Sequence, residues 1–442
     1  MSKRRQRPPQ TPVATQVIGL SHEGRGIAKI AGKTIFIDDA LPGESVTFSY
    51  TKQFSQYDEA SLMSVEVPAP ERVTPICQHF GVCGGCRLQH MSAQTQLSLK
   101  QNTLLDLLTH VGKTAPQTLL PALTGPTTHY RHKARLSVKY VEKKGGLLIG
   151  FRERDGRFVN AMTECHILTK IFIDCLPKLH QTITALSICK AIPQIELAAG
   201  DSDHAIILRH LQPLTAEDAL LLTQFSRQQH IAIYLQSGGV DSITRLTPED
   251  GEDRLYYQHP DYALRLGFHP SDFTQVNLAI NRQMVPLAIE LLCVEPTDVV
   301  LDLFCGLGNF SLPLARVAKH VYGVEGCEKM TARAAENARL NAIENVSFAA
   351  QDLTQTMPDA TWRQVHPNKV LLDPPRSGAE TVCHQLGTLK PQRIVYVSCN
   401  PATLARDTAI LLSYGYRLEH AGIMDMFPHT AHVEAIACFV LS

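Results

Sequence analysis

Two short segments bring groups capable of covalent chemistry together: Ser398-Cys399-Asn400-Pro401 and Asp373-Pro374-Pro375-Arg376. Each follows an apolar run that reads as a strand. Pro374 and Pro375 cannot continue a hydrogen-bonded ladder, so they stop their strand and fix the loop. Cys399 sits between a strand end and a helix start, where the positive helix terminus is expected to favour thiolate. It is the candidate nucleophile. Glu434, in His432-Val433-Glu434, enters from the final hairpin as the candidate general base, and its pKa must rise toward neutrality for that work. The plain alternatives are a buried inert cysteine and a salt-bridged surface acid.

A third segment, Asp302-Leu303-Phe304-Cys305-Gly306-Leu307-Gly308-Asn309-Phe310, joins a strand to a helix. Gly306 and Gly308 allow a tight turn and close approach of a ligand to the backbone. A dinucleotide fingerprint wants a third glycine at position 311, and Ser311 stands there. A nucleotide lacking a diphosphate fits better, which points to S-adenosylmethionine. Glu325 ends the next strand, where an acid accepts hydrogen bonds from ribose hydroxyls. Asp352, after the third strand, is placed for the adenine side. Gln275, in Phe273-Thr274-Gln275-Val276-Asn277, offers a donor and an acceptor just before this region.

A fourth constellation is Cys77-x5-Cys83-x2-Cys86, with Gly81, Gly84 and Gly85 letting the backbone wrap a compact ion or cluster. Cys165, in Glu164-Cys165-His166, is the best fourth ligand, with His79 and His90 as replacements. Four thiolates suit zinc and an iron–sulfur cube alike, and the spacing does not separate them.

The elements that must position these groups fall into three regions of a multidomain α/β chain. Of its 442 residues, 44% are hydrophobic and the formal net charge is zero, so the average does not advertise a polyanion binder. Local asymmetry does: residues 1–12 carry Lys3, Arg4, Arg5 and Arg7 with no acid and read as a flexible basic tail. No apolar run approaches the roughly 20 residues that cross a bilayer, and no apolar segment follows the basic start. A cytoplasmic protein, with reduced thiols and no membrane partner, is expected. Residues 13–70 show five short strands at Val13–Ile18, Ile27–Ile30, Thr34–Ile37, Ser45–Tyr50 and Ser61–Val67, a small β-barrel. Residues 71–270 read as an antiparallel α+β domain. Within it a helical segment near 92–125 is expected to pack on the third region, strand His129–Tyr140 has partners at Leu147–Phe151 and Arg157–Asn160, and helices run over Leu168–Leu186 and Ala216–Gln229. Residues 271–442 alternate helix and strand as a Rossmann-like doubly wound sheet with a crevice at its strand carboxyl ends.

At Cys399, Asp373-Pro374-Pro375-Arg376 and the cysteine constellation the chain resembles the bacterial RNA uracil-5-methyltransferase family, over nearly its whole length. The resemblance implies a TRAM-like (OB-like) barrel, a central iron–sulfur domain and a class I S-adenosylmethionine-dependent methyltransferase domain. It implies that Cys77, Cys83, Cys86 and Cys165 hold a [4Fe-4S] cluster and that Gln275, Phe304, Asn309, Glu325, Asp352 and Asp373 line the cofactor site. Cys399 corresponds to the nucleophile and Glu434 to the base. Transfer-RNA members lack the barrel and the cluster, and another ribosomal branch lacks the barrel, so the implied substrate is a uridine of 23S ribosomal RNA. The alternatives are methylation at another ribosomal site, at two ribosomal sites, or in transfer RNA; a non-catalytic RNA-binding assembly protein is the reading from a different class. The attacked carbon is inaccessible in a stacked helix, so single-stranded or loop RNA with a flipped uridine is expected. Arg131, Lys133, Arg135 and the basic tail are expected to hold flanking phosphates, and the protein is expected to act as a monomer.

Overall fold

The computed structural model describes residues 11–355 and 365–442. Lys3, Arg4, Arg5 and Arg7 of the expected basic tail lie outside the described residues. Residues Val13–Val67 form one six-stranded sheet. The expected first strand divides into Val13–Gln16 and Gly19–Leu20. Between them Val17 N–H donates to Glu44 O (2.9 Å) and Ile18 N–H to Ile27 O (2.7 Å), so the chain there touches both edges of the sheet. Alternate residues Ile35, Ile37, Val46 and Phe48 point into one small core. The last strand begins at Tyr57, four residues before the expected start.

Helix Ala93–His110 is capped by Ser92, whose hydroxyl accepts from Thr95 N–H. Its buried positions are Gln96, Lys100, Leu104 and Leu108, one per turn, so two polar side chains share the stripe with two leucines. That face packs on helix Pro401–Ser413 and strand Tyr416–Met424 of the third region. The short strand Thr118–Leu119 then joins the third region's sheet as its edge.

The central region is a six-stranded sheet covered by helices Lys170–Ala185 and Ala216–Gln229. It is mixed, where an antiparallel sheet was expected. Helix Ala216–Gln229 crosses over between His204–Arg209 and Ala232–Gln236, and a strand pair joined by a crossover helix runs parallel. Arg157–Asn160, expected as a strand, contributes only an isolated bridge, Arg152 to Val159, and its largest apolar side chain, Phe158, stays 54% exposed. Hairpin Leu255–His259 and Leu264–Phe268 carries the apolar core onward, and Ala205 and Tyr234 of the central sheet share one cluster with Met284 and Val395 of the third region.

That third region is an eight-stranded sheet in which five parallel strands, Val346–Ala350, His320–Glu325, Val299–Leu303, Lys369–Leu372 and Arg393–Ser398, are followed by antiparallel Glu434–Leu441. Both faces are buried, as a parallel sheet requires. Val395 and Val397 face one core, Ile394 and Tyr396 the other. The carboxyl ends of the parallel strands therefore open on one common edge.

Candidate active site

Strand Arg393–Ser398 delivers Cys399 to that edge. Asn400 ends the strand conformation and caps the next helix, its side-chain oxygen accepting from Ala402 N–H at 3.2 Å, with Pro401 in the first turn. Ser398 and Asn400 close a small ring, hydroxyl to carbonyl and amide to hydroxyl, that fixes the cysteine between them. The antiparallel pair Ser398↔Ala435 ends that ladder, and the residues flanking it, Cys399 and Glu434, are close enough for the carboxyl to act on the thiol. Glu434 is also locked from its other side by the pair with Met424.

Glu434 is only 4% exposed. Burial, reinforced by the carboxyl of Asp373 and opposed by Arg376, pushes it up to about 8. The surface-acid reading therefore does not describe it. Burial, then Glu434 and Asp373, push the Cys399 thiol up to about 11. The direction is opposite to that expected of a helix terminus: desolvation first, then two neighbouring carboxyls, raise the thiol, and the Arg376 side chain pulls toward thiolate.

The loop Asp373–Ala379 is tied to the same helix. Asn400 Nδ2 donates to Arg376 O at 2.9 Å, and buried Asp407 accepts from Ala379 N–H and Tyr396 O–H, both at 2.7 Å. A Cβ at Gly378, where φ is +78°, would meet Asp407 at 2.7 Å, so glycine alone lets the loop close down here. Burial raises Asp373 to about 7, although part of its surface stays open to the crevice.

Beside these groups lies the glycine loop. Phe304 takes a left-handed conformation (φ +66°) and its N–H donates to Val324 O at 2.8 Å. Gly306 follows at φ +55°, and a Cβ there would meet nothing within 4 Å, so open space faces the turn. Glu325 reaches back to this loop, accepting Gly306 N–H at 3.2 Å on one oxygen and Cys327 N–H at 3.1 Å on the other. Buried Asp302 accepts from Ser311 Oγ, while its other oxygen has no partner; burial raises it to about 7. Ser311, the residue in place of a third glycine, thus holds Asp302.

The other expected cofactor residues are placed less directly. Gln275 is half-buried in a loop pinned by His132 N–H to Val276 O (2.8 Å) and by the bridge between Arg131 and Asn277. The amide oxygen of Asn309 is engaged by Tyr257 O–H, Asn281 Nδ2 and the His259 ring, so it braces the loop against the preceding hairpin and helix. Asp352 is exposed, and its carboxylate accepts from Thr354 and Gln355.

Cys77, Cys83, Cys86 and Cys165 line one pocket, with Phe151, Met162 and Ile167 as apolar walls. Burial first, then the other thiols, raise Cys86 to about 12, and burial likewise raises Cys165 to about 11. Four mutually facing thiols in an apolar pocket suit a soft metal centre, which would hold them as thiolates. Gly84 N–H donates to Arg152 O at 2.8 Å, and a Cβ there would stand 2.9 Å from that oxygen. His79 lines the pocket but shares its ring nitrogen with Thr163. His90 is buried against Phe80, outside the lining. Cys165 lines the pocket together with the other three cysteines.

Among the expected phosphate-binding residues, Lys133 donates to Asp272 O and Arg135 pairs with Glu196 at 2.8 Å. Arg131 keeps its Nε without a partner. Sequence reasoning missed Arg376 as a charge acting on both Cys399 and Glu434. It also missed Lys100, 1% exposed, which pairs with Asp425 at 2.6 Å just ahead of Glu434. The spacing Gln96, Lys100, Leu104, Leu108 carried the signal, since a lysine on an apolar stripe must find a buried partner.

The family model described as tRNA (Uracil-5-)-methyltransferase matches residues 92–440. A protein of Alcanivorax borkumensis named 23S rRNA (uracil(1939)-C(5))-methyltransferase RlmD is 49% identical over 439 residues, covering 99% of each chain. The protein of the same name from Alkalilimnicola ehrlichii is 50% identical over 440 residues, again 99% of each chain. The crystal structure of Pyrococcus abyssi tRNA (uracil-54, C5)-methyltransferase in complex with S-adenosyl-L-homocysteine matches with a TM-score of 0.75 at 22% identity, over 97% of this chain and 100% of that one; the likeness is one of fold. A match over most of the chain, and near-complete relatives at half identity, leave one assignment: the protein belongs to the RNA uracil-5-methyltransferase family.

Proposed function

We propose that this protein transfers a methyl group from S-adenosylmethionine to C5 of a uridine in 23S ribosomal RNA, at the position that its relatives' names give as 1939. The observation that carries the chemistry is Cys399 within electrostatic reach of a buried Glu434, beside an open glycine loop. C5 of uracil is too weak a nucleophile to attack a methyl sulfonium unaided. Addition of the Cys399 sulfur to C6 leaves an enolate with electron density at C5 and O4. C5 then takes the methyl group, S-adenosylhomocysteine departs, and C5 carries both methyl and hydrogen. Glu434 removes that hydrogen as a proton; the electron pair re-forms the C5–C6 double bond and expels the thiolate. Loss of the Cys399 proton is helped by the Arg376 charge.

Glu325 and the Gly306 turn hold the nucleoside end of the cofactor, Gln275 and Asp373 its methionine end, Phe304 and Asn309 shape the loop, and Asp352 closes the adenine side. Asp302 presents an unpartnered carboxylate oxygen behind the loop. A flipped uridine reaches Cys399 from the crevice.

The four cysteines hold a [4Fe-4S] cluster in this reading, a group that cross-links the chain and takes no part in methyl transfer. One zinc ion draws its thiolates in to about 2.3 Å from itself, hence to within about 4 Å of each other. Among the described residues the trio of ligating atoms within 4.8 Å of one another is Glu419, His420 and Cys438 instead, and there the Arg393 guanidinium already supplies the cation. Four cysteine thiols lining one apolar pocket support a group of this kind, and the choice of a cluster over zinc rests on the family resemblance. The N-terminal sheet is read as the TRAM-like, RNA-facing module.

The test is methyl transfer from labelled S-adenosylmethionine to unmodified 23S RNA and to transfer RNA, with the labelled base mapped. Label in one ribosomal uridine supports the proposal; label confined to transfer RNA, or to cytidine, overturns it.

A further inference from the structure

The loop that leads into the strand carrying the base is gripped by the residues that follow the cysteine pocket. Arg87 N–H and Leu88 N–H, directly after Cys86, both donate to His429 O, at 2.8 and 3.0 Å. Buried Tyr130, whose hydroxyl lies near enough to feel Cys86 and Cys165, donates to Pro428 O at 2.9 Å. From the opposite side, Lys100 holds Asp425 and Phe427 O, and Gln96 accepts from His429 N–H at 2.9 Å. His429 itself sits at φ +65°, a conformation a non-glycine residue keeps only where its surroundings over-determine it. The remaining turn to Glu434 is stiff. Thr430 Oγ1 donates to Phe427 O and accepts from His432 N–H, and the His432 ring stands edge-on to Phe427 at 5.7 Å.

We propose that the four-cysteine site is the anchor of the catalytic base: whatever Cys77, Cys83, Cys86 and Cys165 hold fixes the Cys86–Leu88 backbone and Tyr130, and through His429 and Pro428 these set the position of Glu434. This rests on the reading of Glu434 as base. Thiol addition, which depends on the Arg393–Ser398 strand and its helix, is outside that grip. Loss of the group therefore slows proton removal and leaves addition largely intact. Tyr130, Gln96 and the Arg87–Leu88 amides are positioning groups; none touches the uridine.

The test uses the full-length protein, loaded and after anaerobic removal of iron with a chelator. In the depleted protein, amides of Asp425–Val433 are expected to exchange with solvent about tenfold faster while strands Val299–Leu303 and Arg393–Ser398 keep their protection. With a uridine-containing 23S RNA fragment, the covalent protein–RNA adduct should form within about threefold of the loaded rate but persist about tenfold longer. Tyr130→Phe in the loaded protein should lengthen the adduct lifetime in the same sense. Unchanged loop exchange and adduct lifetime on depletion overturn the proposal. Should depletion unfold the core strands, a normal adduct lifetime in loaded Tyr130→Phe overturns it instead. A loaded native protein that forms no adduct at all sinks the proposed function, while the loop-exchange arm still decides whether the pocket grips the loop.

Discussion

Cys399 lies one residue past Ser398, whose ladder partner is Ala435, and Glu434, one residue before Ala435, is near enough for its carboxyl to raise the thiol. Their separate roles predict separate defects. Glu434→Gln removes a carboxyl that raises the thiol, so adduct formation should be at least as fast as in the native protein. Release of methylated RNA should fall about 100-fold or more, the range of a lost general base. Rapid-quench separation of adduct from free RNA checks this; prompt release would take Glu434 out of its role.

The pH dependence follows from the same carboxyl. Its folded value lies near 8 against an ordinary 4.5. A raised acid stabilises the fold fully below about 4.5 and loses that contribution as the pH climbs through about 8. Glu434→Gln keeps the shape without the charge, so its stability relative to the native protein should improve from pH 5 to pH 8.5, by a few kcal/mol at about 1.4 kcal/mol per pKa unit. Paired thermal melts at the two pH values give the answer, and a pH-independent difference would contradict the raised value. Release of product should rise with pH over the same interval, because the base acts only when deprotonated.

Lys100 and Asp425 form a buried pair at 2.6 Å that ties helix Ala93–His110 to the base loop. Removing one partner leaves the other charge buried, at a cost of about 3–5 kcal/mol. Lys100→Met should therefore melt lower, whereas the double change Lys100→Met with Asp425→Leu should recover much of the loss. Denaturant titrations of the single and double variants measure it; additive losses would mean the pair is not coupled.

Much of this was legible in the sequence. The Asp302–Phe310 loop, the proline-stopped strand before Asp373 and the strand–Cys399–helix junction each carry local signals. Helix Ala216–Gln229 falls where the sequence puts it. What failed was tertiary. The thiol of Cys399 is raised by burial and then by two carboxyls distant in sequence, Glu434 and Asp373, and no local pattern reports that. Lys133 looked like a free cation on an alternating strand but is spent on a carbonyl of the Asp272 turn. Thr118–Leu119 is too short to announce itself, and becomes a strand only because Tyr416–Met424 offers an open edge.

The cofactor loop offers a cleaner substitution. Gly306 has φ +55° with open space beside it, so a β-branched side chain would be strained and would project where the ligand is proposed to lie. Gly306→Val should weaken S-adenosylmethionine binding by about 100-fold, while Asp352→Ala, at an exposed and self-satisfied carboxylate, should cost about tenfold or less. Calorimetric titration with S-adenosylhomocysteine ranks the two; the reverse order would relocate the cofactor.

The central claim is a transient sulfur–carbon bond, and replacing the departing hydrogen tests it most directly. With 23S RNA fragments carrying 5-fluorouridine at the target, the methylated adduct cannot lose fluorine as a proton does. Native protein should then become stoichiometrically cross-linked, with mass spectrometry of the digested complex locating the RNA on the Cys399 peptide, and Cys399→Ala should form no adduct. Turnover of the native protein without any cross-link, or a cross-link on another residue, would contradict the account.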